Sequence, residues 1–389
     1  MMLNSVLGKD WISKTYSEDV VNSLKNNFNL SEILSRLIAI RKINIDEVNI
    51  YLNPKLKDTL PNPFVLKDMD KSVERCLNAI IKKEKIGIFG DYDVDGATST
   101  AVLGNYFKSI GQDISIYIPD RKTEGYGPTK NGFDKLIKEG ANLIFTVDCG
   151  TMSFDTINDY QKKNFDIIIL DHHQSELKLP NAFSIVNPNR FDDVSNLKYL
   201  CAAGVCFMFL IGLNAKLRKL NWFEKNKIQE PNLINSLDLV SLGTVCDVVP
   251  LIGLNRTIVS QGLKVINKVS NPGIKILKNV CGLESNLNTY HLGYVLGPRI
   301  NAGGRVGKCS HGANLLLSQS PKETFIIASE LETYNTERKN LEKDILKNIE
   351  KYISLVSSDP VIVLSGHNWH SGIIGIIASR LKDRLNKPI

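Results

Sequence analysis

The sequence predicts an α/β protein: a mostly parallel sheet forming a catalytic domain, then a long connecting helix and the start of a second α/β domain. Three observations predict it. Short, strongly apolar runs without polar alternation recur from residue 86, as central strands covered on both faces require. The stretches between them are long enough for helical crossovers, which join parallel strands. Four runs in succession end in acid or histidine, at the sheet edge where open parallel sheets gather their chemistry.

Residues 1–70 read as a helical lead-in, closed by the Pro- and Asn-containing joint "LNPKLKDTLPNPF" at 52–64. Residues 71–270 form the main domain, with strands expected at "IGIF" (86), "ISIYIP" (114), "LIFTV" (143), "IIIL" (167) and "SIV" (184). From 197 to 260 the pattern turns helical, and "LDLVSLGTVCDVVPLIGLNR" ends one apolar helix at Asp247 and a proline. Residues 271–320 link onward through "GPRINAGGRVG", read as a glycine-rich loop. Ile327, Leu331, Tyr334, Leu341, Ile345, Ile349 and Tyr352 then keep one apolar stripe, which predicts a single helix over 321–356. Residues 357–389 open a second unit with a strand "PVIVL" at 360, the loop "SGHNWHSG", a helix "IIGIIASRLKDRL" and the beginning of another strand at "KPI". One strand and one helix cannot enclose a core, so this unit is expected to pack back on the rest or to be incomplete.

Composition narrows the classes. With 43% hydrophobic and 23% charged residues the chain is an ordinary globular one, and its 389 residues suffice for two or three domains. No apolar stretch is long enough to span a bilayer and the N-terminus lacks signal-peptide regions, so a cytoplasmic protein without membrane contact is expected. Seven scattered cysteines without a Cys-x-x-Cys pair read as reduced thiols, not as a zinc site. The net charge of +7 favours an anionic partner only mildly.

The chemistry concentrates in a few stretches. Asp91, Asp93 and Asp95 in "GDYDVDG" place three like charges just after the first strand, and a divalent cation would relieve their repulsion. A calcium loop fails, because its twelfth position is Val102 where a bidentate glutamate is needed. A phosphatase with an aspartyl nucleophile would not need the histidines downstream. Helix capping near Ala97, with Asp95 as the cap, accounts for one aspartate but not for three. Asp171, His172 and His173 follow the fourth strand, where an imidazole can ligate a metal while its neighbour handles a proton. Asp148 and Asp247 complete a mixed oxygen and nitrogen donor set suited to manganese or magnesium, with room for two ions. Arg299 and Arg305 lie among glycines that let a backbone approach an anion closely.

In their order, "DYDVDG", "DRKTEGYG", "VDCG", "DHH", "LGTVCDVVPL", "GPRINAGGR" and "SGHNWHSGIIGIIASRL" resemble the DHH phosphoesterases over roughly residues 65–389. The resemblance implies a DHH catalytic domain joined to a partial DHHA1-type domain. It also implies an exonuclease that degrades single-stranded DNA from the 5′ end to mononucleotides with Mn2+ or Mg2+, in DNA repair and recombination. Carried over, Asp93, Asp95, Asp148, His172 and Asp247 are metal ligands with Asp148 bridging, while Asp91, Asp171 and His173 act catalytically beside them. Arg299, Asn301 and Arg305 would hold phosphate, together with Arg121, His370 and Ser371; His367 lies in the same second-domain loop. A helicase or single-strand-binding protein would feed the strand. Similar proteins continue into a completed second domain and an OB-type grip domain, so an intact hydrolytic site with a weakened hold on DNA is expected. A DHH phosphoesterase of short oligonucleotides or nucleotide phosphates, and a non-catalytic single-strand-binding scaffold, remain the alternative readings.

Overall fold

The computed structural model describes residues 3–4, 10–163, 165–356 and 359–389. Contacts divide the chain into two compact units, Met1–Leu60 and Pro61–Ile389. In the first, β1 (Leu3–Asn4) and β2 (Asp10–Trp11) pair antiparallel. Two helices follow, Glu18–Phe28 and Glu32–Ile40, and each starts on a serine, Ser17 or Ser31, whose hydroxyl accepts an otherwise unpaired amide of the first turn. Their apolar faces meet in a small core of Val21, Leu24, Ile38, Ala39 and Val48.

The second unit is organised by five parallel strands: β3 (Ile86–Gly90), β4 (Ile114–Tyr117), β5 (Leu143–Val147), β6 (Asp166–Leu170) and β7 (Ser184–Val186), in the order β4-β3-β5-β6-β7. β3 and β5 are buried throughout, which is why their sequences show no polar alternation. The two-residue period still sorts the side chains between faces. Phe89, Ile144, Ile167 and Ile169 pack with Phe133, Leu136, Ile157 and Tyr160 of the helices Lys130–Lys138 and Phe154–Gln161. On the other face, Phe145 packs between Phe107 of helix Val94–Ser109, tilted to its ring, and Phe209 of helix Ala202–Lys219, edge to face. That last helix is buried at nearly every position to Leu213, as its uniformly apolar sequence requires.

Three expectations change. The helix after β3 starts at Val94 and is capped by Asp93, whose Oδ1 accepts from the Gly96 amide at 2.9 Å; Asp95 lies inside its first turn. "GPRINAGGRV" is a helix, Gly297–Val306, and not a loop. Its glycines serve close packing: a Cβ at Gly297 would meet Cys246 Sγ at 2.5 Å, and one at Gly304 would meet the Tyr92 ring at 3.0 Å. "PVIVL" forms no strand, because among the described residues no neighbouring strand pairs with it; the Ile362 amide donates instead to the Pro388 carbonyl. Residues 321–356 form one 36-residue helix, Pro321–Val356, about 54 Å long. Its C-terminal half packs Ile345, Ile349 and Ile353 against Ile373, Ile377 and Leu381 of helix Ser371–Leu385.

The helix that delivers Asp247, Leu237–Cys246, is itself held by helix Gly253–Lys268. At their crossing, a Cβ on Gly262 would lie 2.4 Å from the Leu237 carbonyl oxygen and 2.5 Å from Ser241 Cβ. Gly262→Ala should therefore cost about 1–3 kcal/mol, read as a lower urea midpoint with an unchanged slope.

Candidate metal centre

Strand register builds the site. Three acids stand one residue beyond the ladder, where the amide of each still reaches the last carbonyl of the next strand: Asp91 to Val147 (3.3 Å), Asp148 to Leu170 (3.1 Å) and Asp171 to Val186 (3.1 Å). Adjacent parallel strands lie about 4.8 Å apart, so the register alone lines these acids up along one edge. The edge includes the β3/β5 boundary, where the chain's crossovers diverge and open sheets form a crevice.

Other elements bring further ligand types to the same place. Asp95 is fully buried, and its two oxygens accept from the Ala202 (2.6 Å) and Ala203 (3.0 Å) amides at the N-terminus of helix Ala202–Lys219. Asp247 caps the C-terminus of helix Leu237–Cys246. His172 Nε2 sits among three carboxylates, 3.4 Å from Asp148 Oδ1, 3.5 Å from Asp247 Oδ2 and 3.7 Å from Asp95 Oδ2. Two triads, Asp91/Asp93/Asp148 and Asp95/His172/Asp247, each bring ligand atoms within 4.8 Å of one another, and a third, Asp148/His172/His173, overlaps both and joins them. Asp91 Oδ1, Asp148 Oδ1, His172 Nε2 and Asp247 Oδ2 are buried without a hydrogen-bond partner. Four such atoms aimed at one another are unfavourable unless a cation lies between them.

The electrostatics agree. Burial, followed by the charge of Asp93, raises the Asp91 carboxyl to about 8; burial, followed by Asp95, raises Asp247 to about 7. Asp148 is pushed well up by burial and then by Asp93 and Asp95, and burial also raises Asp95. Asp171 behaves oppositely. Burial opposes its ionisation, yet the His173 ring at 2.8 Å and the Thr151 amide at 3.1 Å outweigh it and hold the carboxyl below its ordinary range. It also accepts the His172 and His173 amides, so it fixes the histidine segment from beneath. His173, raised to about 9 chiefly by that hydrogen bond, donates from Nδ1 and turns a half-exposed ring to the crevice.

Several supports were not read from the sequence. Tyr126, in "DRKTEGYG", donates its hydroxyl to the Asp148 carbonyl at 3.0 Å and lies 3.3 Å from both His173 ring nitrogens. Asp148 needs that support, since its backbone is left-handed with φ 60°. Asn187 and Asn189 hold the His173 and His172 carbonyls at 2.9 and 2.5 Å. Their position just past β7, in "VNPN", was the available clue.

The expected anion-binding residues divide. Arg121 lies over the Tyr92 ring at 5.5 Å, and Arg305 donates to the Gly372 carbonyl at 3.1 Å. Burial, then repulsion from Arg121 and Arg338, lowers the Arg305 guanidinium, so these cations share one region. His370 and Ser371 join it at the start of helix Ser371–Leu385, where His370 Nδ1 accepts the Gly372 amide. Arg299 is engaged elsewhere, paired with Glu332 and donating to the Val295 carbonyl at 2.8 Å. Asn301 is half-buried on the same helix and His367 is exposed.

The profile described as "DHH family, N-terminal domain" matches residues 85–244, the segment that holds the sheet and most of these ligands. The single-stranded-DNA-specific exonuclease RecJ of Escherichia coli is 37% identical over 368 residues, 92% of this chain and 63% of that one. Residues 85–244 thus match the DHH family, within a chain similar to RecJ over most of its length. RecJ of Bacillus subtilis is 32% identical over 97% of this chain and 46% of its own length. Among solved structures, exonuclease RecJ bound to manganese superposes with a TM-score of 0.71 at 29% identity, covering 83% of this chain and 79% of that one. RecJ of Thermus thermophilus in complex with Mn2+ gives 0.78 at 25% identity, covering 96% and 52%. The chain spans 58%, 63% and 63% of the first three curated relatives it matches. Among the described residues no helix is long and apolar enough to cross a membrane.

The raised carboxyls make a sign prediction for the metal-free state. Groups that keep their protons more tightly when folded stabilise the fold below the ordinary carboxylate range, and that contribution is lost progressively as pH rises from about 4 to about 7 to 8, where the folded-state titrations end. In chelator, the unfolding midpoint should fall across that window, and added Mn2+ should restore it. Asp148→Asn should flatten the fall and reduce the gain from Mn2+.

Proposed function

We propose that this chain carries the catalytic part of a metal-dependent exonuclease that hydrolyses phosphodiester bonds of single-stranded DNA from the 5′ end, releasing mononucleotides. The observation that carries the reading is the pair of ligand triads joined through Asp148, with four unpaired ligand atoms between them. The likeness to RecJ, both in sequence and to manganese-bound structures, supports it.

In this proposal Asp91, Asp93 and Asp148 hold one ion and Asp95, His172 and Asp247 the other, with Asp148 positioned to serve both. Asp91 thus joins the ligands, beyond the catalytic role first expected of it. Bound Mn2+ or Mg2+ would supply Lewis acidity to the phosphoryl group and make the attacking water more acidic. The chain's own groups do the rest. Asp171 keeps the His173 proton on Nδ1 and leaves Nε2 facing the crevice, where it can donate to a phosphate or leaving oxygen. Arg121 and Arg305, with His370 and Ser371, orient the terminal phosphate, while Arg299 supports the long helix. Backbone charge without base readout suits any single strand.

We also propose the domain partition 1–70, 71–270, 271–320, 321–356 and 357–389, a cytoplasmic setting, and a helicase or single-strand-binding protein as the source of strands. The test is Mn2+-dependent mononucleotide release from single-stranded DNA labelled at either end. Release beginning at the 5′ end, lost in Asp148→Ala and in excess chelator, is expected. Hydrolysis of dinucleotides alone would replace the reading with a short-substrate phosphoesterase, and binding without any hydrolysis would replace it with a scaffold. Tyr126→Phe, which removes the hydroxyl bracing Asp148 and His173, should lower kcat on the order of tenfold with little change in KM.

A further inference from the structure

On a turn that packs against the helix ending at Asp247, and outside everything assigned above, the chain exposes a pair of aromatic rings. Residues His291–Leu296 form a π-helical turn, a rare geometry that recurs at functional sites. Pro298, two residues beyond the turn, has no amide to continue an ordinary helical ladder back to Tyr294. Tyr290 and Tyr294 project from this segment with 62% and 74% of their surface exposed. Their rings stack on each other, centroids 5.3 Å apart and planes 27° from parallel.

The turn is fixed to the element that delivers Asp247. Cys246 Sγ donates to the Leu292 carbonyl at 3.3 Å, and a Cβ at Gly293 would lie 3.4 Å from Val245 Cγ1. From the other side Arg299 ties the turn down through the Val295 carbonyl and its pairing with Glu332. Two large rings that stack on each other in water, on a segment braced against Cys246 and Val245, make a small contiguous exposed apolar patch of the kind that marks an interaction site. A ring with an open face, on a turn fixed to the helix that delivers Asp247, suits an unpaired base of the proposed strand, whose own face is apolar and whose edges stay in water.

We propose that Tyr290 and Tyr294 form a stacking platform for unpaired nucleobases of the strand whose end occupies the metal centre. The proposal rests on the reading of the chain as a single-strand nuclease, and it adds the means by which a longer strand is held. Stacking is indifferent to base identity, so the platform adds affinity without sequence preference.

The experiment compares Tyr290→Ala/Tyr294→Ala with Tyr290→Phe/Tyr294→Phe in the full chain. Binding is measured as fluorescence anisotropy of labelled oligodeoxynucleotides of graded length in chelator, where no hydrolysis occurs. The alanine pair should weaken binding of the longer oligomers about tenfold or more, and the phenylalanine pair should keep most of it. An oligomer carrying abasic positions should bind the wild type and the alanine pair equally. Mn2+-induced thermal stabilisation of each variant serves as the folding control. Equal binding of normal oligomers by wild type and a folded alanine pair would overturn the platform, as would loss in the phenylalanine pair alone. If the chain binds strands through the tyrosines yet hydrolyses none, the nuclease reading fails while the platform stands.

Discussion

Like charges pinned together at neighbouring strand ends are the constraint on which this molecule depends. Asp91, Asp148 and Asp171 are not gathered by flexible loops; their own amides complete the hydrogen bonding of the sheet edge. Sheet register therefore fixes their spacing before any side chain chooses a rotamer. Carboxylates so close, and so deeply buried, repel one another strongly at low dielectric. The surrounding structure answers each in a different way. Asp171 receives His173 and three amides, Asp95 receives a helix N-terminus, and Asp91 and Asp148 keep oxygens that no protein group satisfies.

That division separates support from function within one cluster. Asp171, whose oxygens are taken by His173 and three amides, holds shape; Asp91, Asp148 and Asp247 each keep an unpaired oxygen for a ligand; and Asp95, though held by two amides, still brings Oδ2 to 3.7 Å from His172 Nε2. The same distinction runs through the backbone. Asp148 is held in a left-handed conformation between a strand and Gly150, with Tyr126 gripping its carbonyl, so the unusual backbone falls at the residue that joins one triad to His172 of the other. Asn187 and Asn189 clamp the histidine carbonyls and stop the segment from rotating its rings away.

How far this was legible depended on the range of the interaction. Asp91, Asp93, Asp148, His172 and Asp247 could be read because each lies at the end of a strand or helix that its own sequence announces. Tyr126 could not, since a tyrosine in a polar loop looks alike whether it faces solvent or a carbonyl two strands away. The glycines around Arg299 and Arg305 suggested a loop that approaches an anion, yet they serve helix contacts with Cys246 and Tyr92. Arg299 was indistinguishable from Arg305 in sequence, and only Glu332, 33 residues further on, separates their roles. "PVIVL" has the composition of a strand but, among the described residues, not the neighbour a strand needs.

Local periodicity and residue chemistry thus determined the sheet strands, the helix over residues 321–356 and the acids that terminate the strands, because burial on both faces and strand-end position leave their mark within a few residues. Strand order, the pairing of each acid with its own compensation, and the choice between a free and an engaged arginine were decided only by the tertiary structure. Those depend on groups far apart in the chain meeting at distances of about 3 Å, which no short-range pattern encodes.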